Sequence, residues 1–208
     1  MLLIGQYDSP FVRRIGVTLG LYGVSYEHRK WSVWGDAERI AEYNPLRRVP
    51  TLVLDDGTAL LETFTIIDYL DELVGPERAL LPGRGTLRRD GMRLVALATG
   101  LADKAVSLLY ESLFRPTPSE GWVRRCELQI ADTLALLDRE RGKQPSPYFL
   151  GETLTHADVM TTCMLRFVGE AHPQLFDATK YPALAANAER CEALEAFQAV
   201  VQPITNNV

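Results

Sequence analysis

Three residue pairs in the first part of the chain have the types and spacing to do chemistry: Ser9-Pro10, Val49-Pro50 and Glu62-Thr63. Val49-Pro50 stands directly before a β-type run, Thr51 to Leu54. An Asp-Gly turn follows at Asp56-Gly57, then a second apolar run to Leu61, and Glu62-Thr63 opens an amphipathic helix. The order reads strand, hairpin, strand, helix. A proline beside a strand that must still pair is tolerated at the strand's first residue or at an edge, and the tight approach is often made by a cis peptide, which we expect at Val49-Pro50. That linkage would turn the Val49 N–H and C=O outward, free to pair with an extended peptide as one more strand. At Glu62 and Thr63, backbone N–H groups and the positive end of a helix dipole attract a carboxylate. One peptide ligand can span both features. A plain hairpin with an ordinary proline fits the same spacing.

The elements that must hold these residues are legible around them. Met1 to Tyr7 is an apolar run of strand length. Ser9 is a preferred N-cap and Pro10 a preferred first helical residue; the apolar positions Phe11, Val12, Ile15, Leu19 and Tyr22 then follow a helix face, with Gly23 as its stop. Tyr26 to Lys30 alternates like a second strand, and Asp36 to Tyr43 makes a short helix before Pro45. The order is βαβα, then ββα, which by itself leaves several α/β folds open. Gly75 to Thr86 concentrates Gly and Pro and reads as a linker. Beyond it the pattern is helical: Leu94, Ala98, Leu101, Ala105 and Leu108 step by three and four, as do Val123, Cys126, Ile130, Leu134 and Leu137. Thr155 and Asp158 stand at capping-box spacing before another apolar helix. The expected division is 1–78, a linker at 79–86, and an all-helical 87–208.

Asn44, Pro45, Val49, Pro50, Leu52, Glu62 and Thr63, followed by Tyr69-Leu70-Asp71-Glu72, resemble the glutathione half-site of the cytosolic glutathione transferases, NPxxxVPxL with an acidic-Ser pair and a helix ending in YLDE. SPFVRR at Ser9 resembles the serine-type, bacterial-like members, and the Thr155–Asp158 box resembles one that opens the central helix of the family's second domain. The resemblance implies a thioredoxin-like α/β domain followed by a helical bundle. It also implies glutathione as co-substrate: the Val49 backbone pairs with the cysteinyl part, Glu62 and Thr63 hold the γ-glutamyl amine and carboxylate, and Arg48 reaches the glycine carboxylate. Thr63 stands where the family more often has Ser, which keeps the hydroxyl and adds a methyl.

On that resemblance Ser9 is the expected catalytic residue. A thiol of pKa about 8.5 is only about 3% ionised at pH 7, and lowering it by about two units takes about 2.7 kcal/mol. A hydrogen bond to a charged group gives roughly 1.5 to 3 kcal/mol and a helix end about 0.3 to 1 more. Ser9 then stabilises the thiolate, and the co-substrate's sulfur is the nucleophile. Tyr7 is the rival, because other branches use a tyrosine there; its plain reading is a core or substrate-pocket aromatic. Phe11, Trp34 and Tyr110 are candidate pocket residues for a hydrophobic electrophile between the domains, with packing as the bland reading of Trp31 and Trp34. The expected function is conjugation of glutathione to such electrophiles, in a detoxification role. A non-catalytic carrier or regulatory module, or a glutathione-dependent isomerase or peroxidase, shares these motifs. The resemblance further implies a two-fold homodimer.

Composition narrows the field. The 208 residues are 47% hydrophobic and 24% charged, with a net charge of -5, enough for a full core and unfavourable to general partnership with nucleic acid or an anionic membrane. No basic n-region opens the chain and no apolar run is long enough to span a bilayer, so a cytoplasmic protein is expected. Cys126, Cys163 and Cys191 are scattered in apolar helical patterns and read as buried structural thiols. No C-x-x-C, short metal-ligand spacing, nucleotide loop or G-x-S-x-G occurs, so no metal, nucleotide cofactor or dithiol chemistry is expected.

Overall fold

A computed structural model of the chain describes residues 1–204. The first elements are β1 (Leu2–Ile4), α1 (Pro10–Tyr22), β2 (Glu27–Arg29), α2 (Ala37–Ala41), β3 (Thr51–Val53), β4 (Ala59–Leu61) and α3 (Thr63–Val74). The sheet order is β2-β1-β3-β4. β1 pairs parallel with β2 and antiparallel with β3, and β3 pairs antiparallel with β4. This is the mixed sheet of a thioredoxin-like domain. Its apolar residues fill both faces: Leu3, Ile4 and Leu52 are buried between the strands' helical cover, with Ile15 and Leu19 of α1 and Ile66 and Leu70 of α3. On the α2 side, Ile4, Ile40 and Val53 are joined by Trp31 and Tyr43.

α1 forms as its sequence demands. Ser9 is the N-cap, accepting from the Val12 N–H, Pro10 occupies the first turn, and Gly23 closes the helix in the left-handed region at φ 65. Gly16 matters for a different reason: a Cβ there would lie 2.6 Å from Tyr7 Cε1 and 3.1 Å from Val200 Cγ1.

The helical elements that follow are α4 (Gly85–Phe114), α5 (Glu120–Gly142), α6 (His156–Ala171) and α7 (Pro182–Glu192), with a short α8 (Glu195–Gln198). α6 is buried along most of its length and packs on α4 and α7. Its capping box is complete: Thr155 N–H and Oγ1–H donate to Asp158 Oδ2 at 2.9 and 2.8 Å, and Asp158 Oδ1 also accepts from the Phe149 N–H at 3.0 Å. The three cysteines are free and buried; burial pushes the Cys191 thiol up to about 12 and raises that of Cys126. No helix among the described residues is long and apolar enough to cross a membrane.

The chain divides into two compact units: Met1–Gly83 together with the segment from Ala193 onward, and Arg84–Glu192. The sequence placed all of 87–208 in the second domain. The difference has a packing cause. Gly16 and Gly20 leave a smooth strip on α1 that admits Val200 and Ala196, within 3.1 and 3.2 Å of where a Cβ would stand. The buried Arg13 fastens the same segment, donating to the Val200 and Phe197 carbonyls at 3.2 and 3.1 Å.

Candidate functional site

Strand register gathers the candidate residues. Ile4 at the end of β1 pairs with Thr51 at the start of β3, and Thr51 pairs with Leu61 at the end of β4. The chain just beyond those positions, Gly5 to Ser9, Val49-Pro50 and Glu62-Thr63, therefore emerges at one end of the sheet. The approach is tight: a Cβ on Gly5, whose φ is 130, would lie 2.8 Å from Val49 Cβ.

The Val49-Pro50 bond is cis. Among the described residues, neither the Val49 N–H nor its C=O takes a hydrogen-bond partner. Asn44, 1% exposed, fixes the approach to it: its Nδ2 donates to Arg48 O at 2.9 Å and to Thr51 Oγ1 at 3.1 Å, while its Oδ1 accepts from the Leu46 N–H at 3.0 Å. The backbone of Arg48 is thus held.

Glu62 is the residue before α3, at φ 64 and ψ 140, a conformation that side-chain-bearing residues rarely adopt and that costs on the order of 1–3 kcal/mol. Its carboxylate pairs with Arg48 Nη1 at 2.9 Å, both side chains about half exposed. Arg48, expected at a glycine carboxylate, here spans to Glu62. Thr63 is nearly buried and its Oγ1 accepts from Arg14 Nη1 at 3.0 Å. That bond uses one acceptor pair and leaves the hydroxyl's own proton to donate. Arg14, fully buried with its guanidinium 5.5 Å from the Phe64 ring centre, joins the start of α1 to the start of α3. Sequence reasoning missed Arg13 and Arg14 as site supports. The available signal was a pair of arginines on an otherwise apolar helix with no acid on the same element to match them.

Ser9 Oγ accepts from the Val12 N–H at a long 3.4 Å, so the hydroxyl proton is available at a helix start. The Phe11 N–H next to it takes no acceptor among the described residues. Tyr7 is in the core. Its hydroxyl lies 2.6 Å from the Tyr26 hydroxyl and its ring stacks on His28 at 4.0 Å. Burial, then the Tyr26 contact, raises its pKa far above the ordinary tyrosine value. Burial also lowers the pKa of His28, whose Nε2 lies 2.7 Å from Gly5 O.

Phe11 is half-buried in the first turn of α1, and Trp34 is 46% exposed in the loop before α2. Tyr110 belongs to the helical unit. There it borders a cleft of about 600 Å³ with Ser107, Phe114, Arg115, Ser119 and Trp122. The buried Glu111 lines the same cleft, accepting from the Ser119 N–H at 2.7 Å and pairing with Arg115 at 3.1 Å.

Comparison with known proteins agrees with this architecture. Residues 3–78 match the family model of the glutathione S-transferase N-terminal domain, and residues 120–186 that of the C-terminal domain. The uncharacterized GST-like protein YibF of Escherichia coli is 35% identical over 122 residues, covering 58% of this chain and 59% of that protein. Glutathione S-transferase U22 of Arabidopsis thaliana is 24% identical over 195 residues, 92% of this chain and 85% of its own. Among solved structures, a glutathione S-transferase of Methylobacterium radiotolerans in complex with glutathione sulfonate superposes with a TM-score of 0.90 at 26% identity, over 100% of this chain and 98% of that one. One from Methylobacillus flagellatus with glutathione bound gives 0.89 at 25% identity, over 98% and 99%. The chain belongs to the glutathione S-transferase family.

Proposed function

We propose that the protein binds glutathione at this end of the sheet, ionises its thiol at Ser9 and transfers the sulfur to a hydrophobic electrophile. The observation that carries the reading is the unengaged Val49 N–H and C=O beside the cis bond, at the same end of the sheet as the Ser9 cap and the Glu62 carboxylate. An extended tripeptide pairs its cysteinyl C=O and N–H with the Val49 backbone. Glu62 accepts from the γ-glutamyl ammonium, while the Thr63 hydroxyl and the α3 N-terminus take the adjacent carboxylate. Arg48 turns to the glycyl carboxylate. Ser9 donates its hydroxyl proton in a hydrogen bond to the sulfur, and the thiol's own proton leaves to solvent. The sulfur lone pair then forms the S–C bond, and the leaving group departs with the electrons of the bond that breaks. Phe11 and Trp34 offer the electrophile apolar, weakly directional surface.

The test is the pH profile of kcat/KM for conjugation to an activated chloronitroarene. The wild type should form the thioether, and Ser9→Ala should lose about ten-fold or more in rate near pH 6.5, with its inflection moved up by about one unit. Glutathione binding without any thioether would leave a binding module. Glutathione disulfide or rearranged substrate as the only product would make the enzyme a peroxidase or an isomerase. The same reading carries a cytoplasmic two-fold homodimer, and a monomer by sedimentation would refute that part.

A further inference from the structure

The segment that returns to the first unit ends, among the described residues, against the loop that carries Ser9. That loop, Gly5 to Ser9, is held at both of its ends and at its middle. The Gly5 N–H donates to Arg29 O at 2.9 Å and the Ser9 N–H to Gln6 O at 3.2 Å. Between them, the Tyr7 N–H donates to Gln202 Oε1 at 3.1 Å, its one acceptor among the described residues. This bond ties the middle of the loop to residue 202.

Gln202 is in turn held by what precedes it. Arg13, on the first turns of the helix that Ser9 caps, is 1% exposed. It donates through Nε to Val200 O and through Nη2 to Phe197 O, and its guanidinium lies 5.7 Å from the Phe197 ring centre. Val200 and the edge of the Tyr7 ring both lie close to Gly16. Ser9 is thus bracketed. Its helix is fastened to residues 197–200 through Arg13, and its loop to residue 202 through Tyr7.

We propose that residues 197–202 form a strap that positions the Ser9 hydroxyl, with Gln202 and Arg13 as positioning residues for thiol activation. The proposal rests on the reading of Ser9 as thiolate stabiliser. A hydrogen bond to a thiolate is sensitive to direction, so a loop that relaxes by a few tenths of an ångström loses ionisation before it loses binding, which rests on Val49, Glu62 and Thr63 elsewhere.

The experiment is ultraviolet titration of thiolate in glutathione-saturated wild type, Ser9→Ala, Gln202→Leu and Arg13→Met, alongside glutathione affinity by calorimetry. Gln202→Leu keeps the side chain's bulk and removes the acceptor. It should raise the bound thiol's pKa by about half a unit or more, a roughly three-fold loss of thiolate, with affinity unchanged within about two-fold. Arg13→Met should shift the pKa in the same direction. If it does not fold, Gln202→Leu decides alone. An unchanged pKa in Gln202→Leu beside a raised one in Ser9→Ala overturns the strap and leaves the Ser9 reading standing. An unchanged pKa in Ser9→Ala overturns both. A loss of affinity with no change in pKa assigns the segment a purely structural role and also overturns the proposal.

Discussion

At the scale of single residues, the Arg48–Glu62 pair is the most informative arrangement. Ion pairs this exposed are weak, on the order of 0–1 kcal/mol, so a ligand ammonium can compete for Glu62 and release Arg48. Arg48→Ala should then have opposite effects on two ligands. Glutathione, which offers a glycyl carboxylate to the freed guanidinium, should bind about ten-fold more weakly. γ-Glutamylcysteine, which lacks the glycine and gains only an uncontested Glu62, should bind equally or up to about five-fold more tightly. Calorimetric titration of both ligands checks this, and equal weakening would refute the exchange. Glu62→Gln should weaken glutathione about ten-fold and scarcely move the bound thiol's pKa. The Ser9 cap, the cis Val49-Pro50 bond and the helix start at Glu62-Thr63 were legible because each belongs to a local motif. The bonds of Arg14 to Thr63 and of Gln202 to Tyr7 were not, because these partners are far apart in sequence and no local pattern encodes such pairings.

At the scale of elements, most helices and strands follow their sequence signals, and the capping box does so with particular economy. Asp158 accepts three hydrogen bonds in a fully buried setting. Asp158→Ala leaves the Phe149 and Thr155 N–H groups without acceptors and should lower unfolding free energy by about 2–4 kcal/mol. Denaturant melts should show this loss while the bound thiol's pKa stays put, separating scaffold from chemistry. Strand β2 carries a pH response. Burial holds the folded-state pKa of His28 below its ordinary value of 6.5, so its contribution is fully present above about pH 6.5 and is lost as pH falls through the folded value. Denaturation midpoints should therefore begin to decline in that window, before carboxylates titrate, and His28→Gln should remove the decline. Residues 26–30 alternate like a strand, and the alternation foretold neither the stacking of His28 on Tyr7 nor its bond to Gly5 O, since both depend on β1.

At the scale of the whole molecule, the two-domain organisation was legible from the Gly/Pro-rich linker and the change from period-two to helical spacing. The return of residues from Ala193 to the first unit was not. It depends on a glycine strip and a buried arginine on α1, which in sequence look like an ordinary helix face. If folding and the peptide groove are linked, glutathione should stabilise the chain by mass action, by about 2.7 kcal/mol at a hundred times its Kd. A thermal melt unaffected by saturating glutathione would contradict that link. The central claim concerns the ionised sulfur. It is tested most directly by titrating the thiolate absorbance of bound glutathione in wild type, Ser9→Ala and Tyr7→Phe. The account predicts a bound pKa about two units below that of a free thiol, raised by about one unit or more in Ser9→Ala and unchanged in Tyr7→Phe; an unchanged value in Ser9→Ala with a large rise in Tyr7→Phe would contradict it.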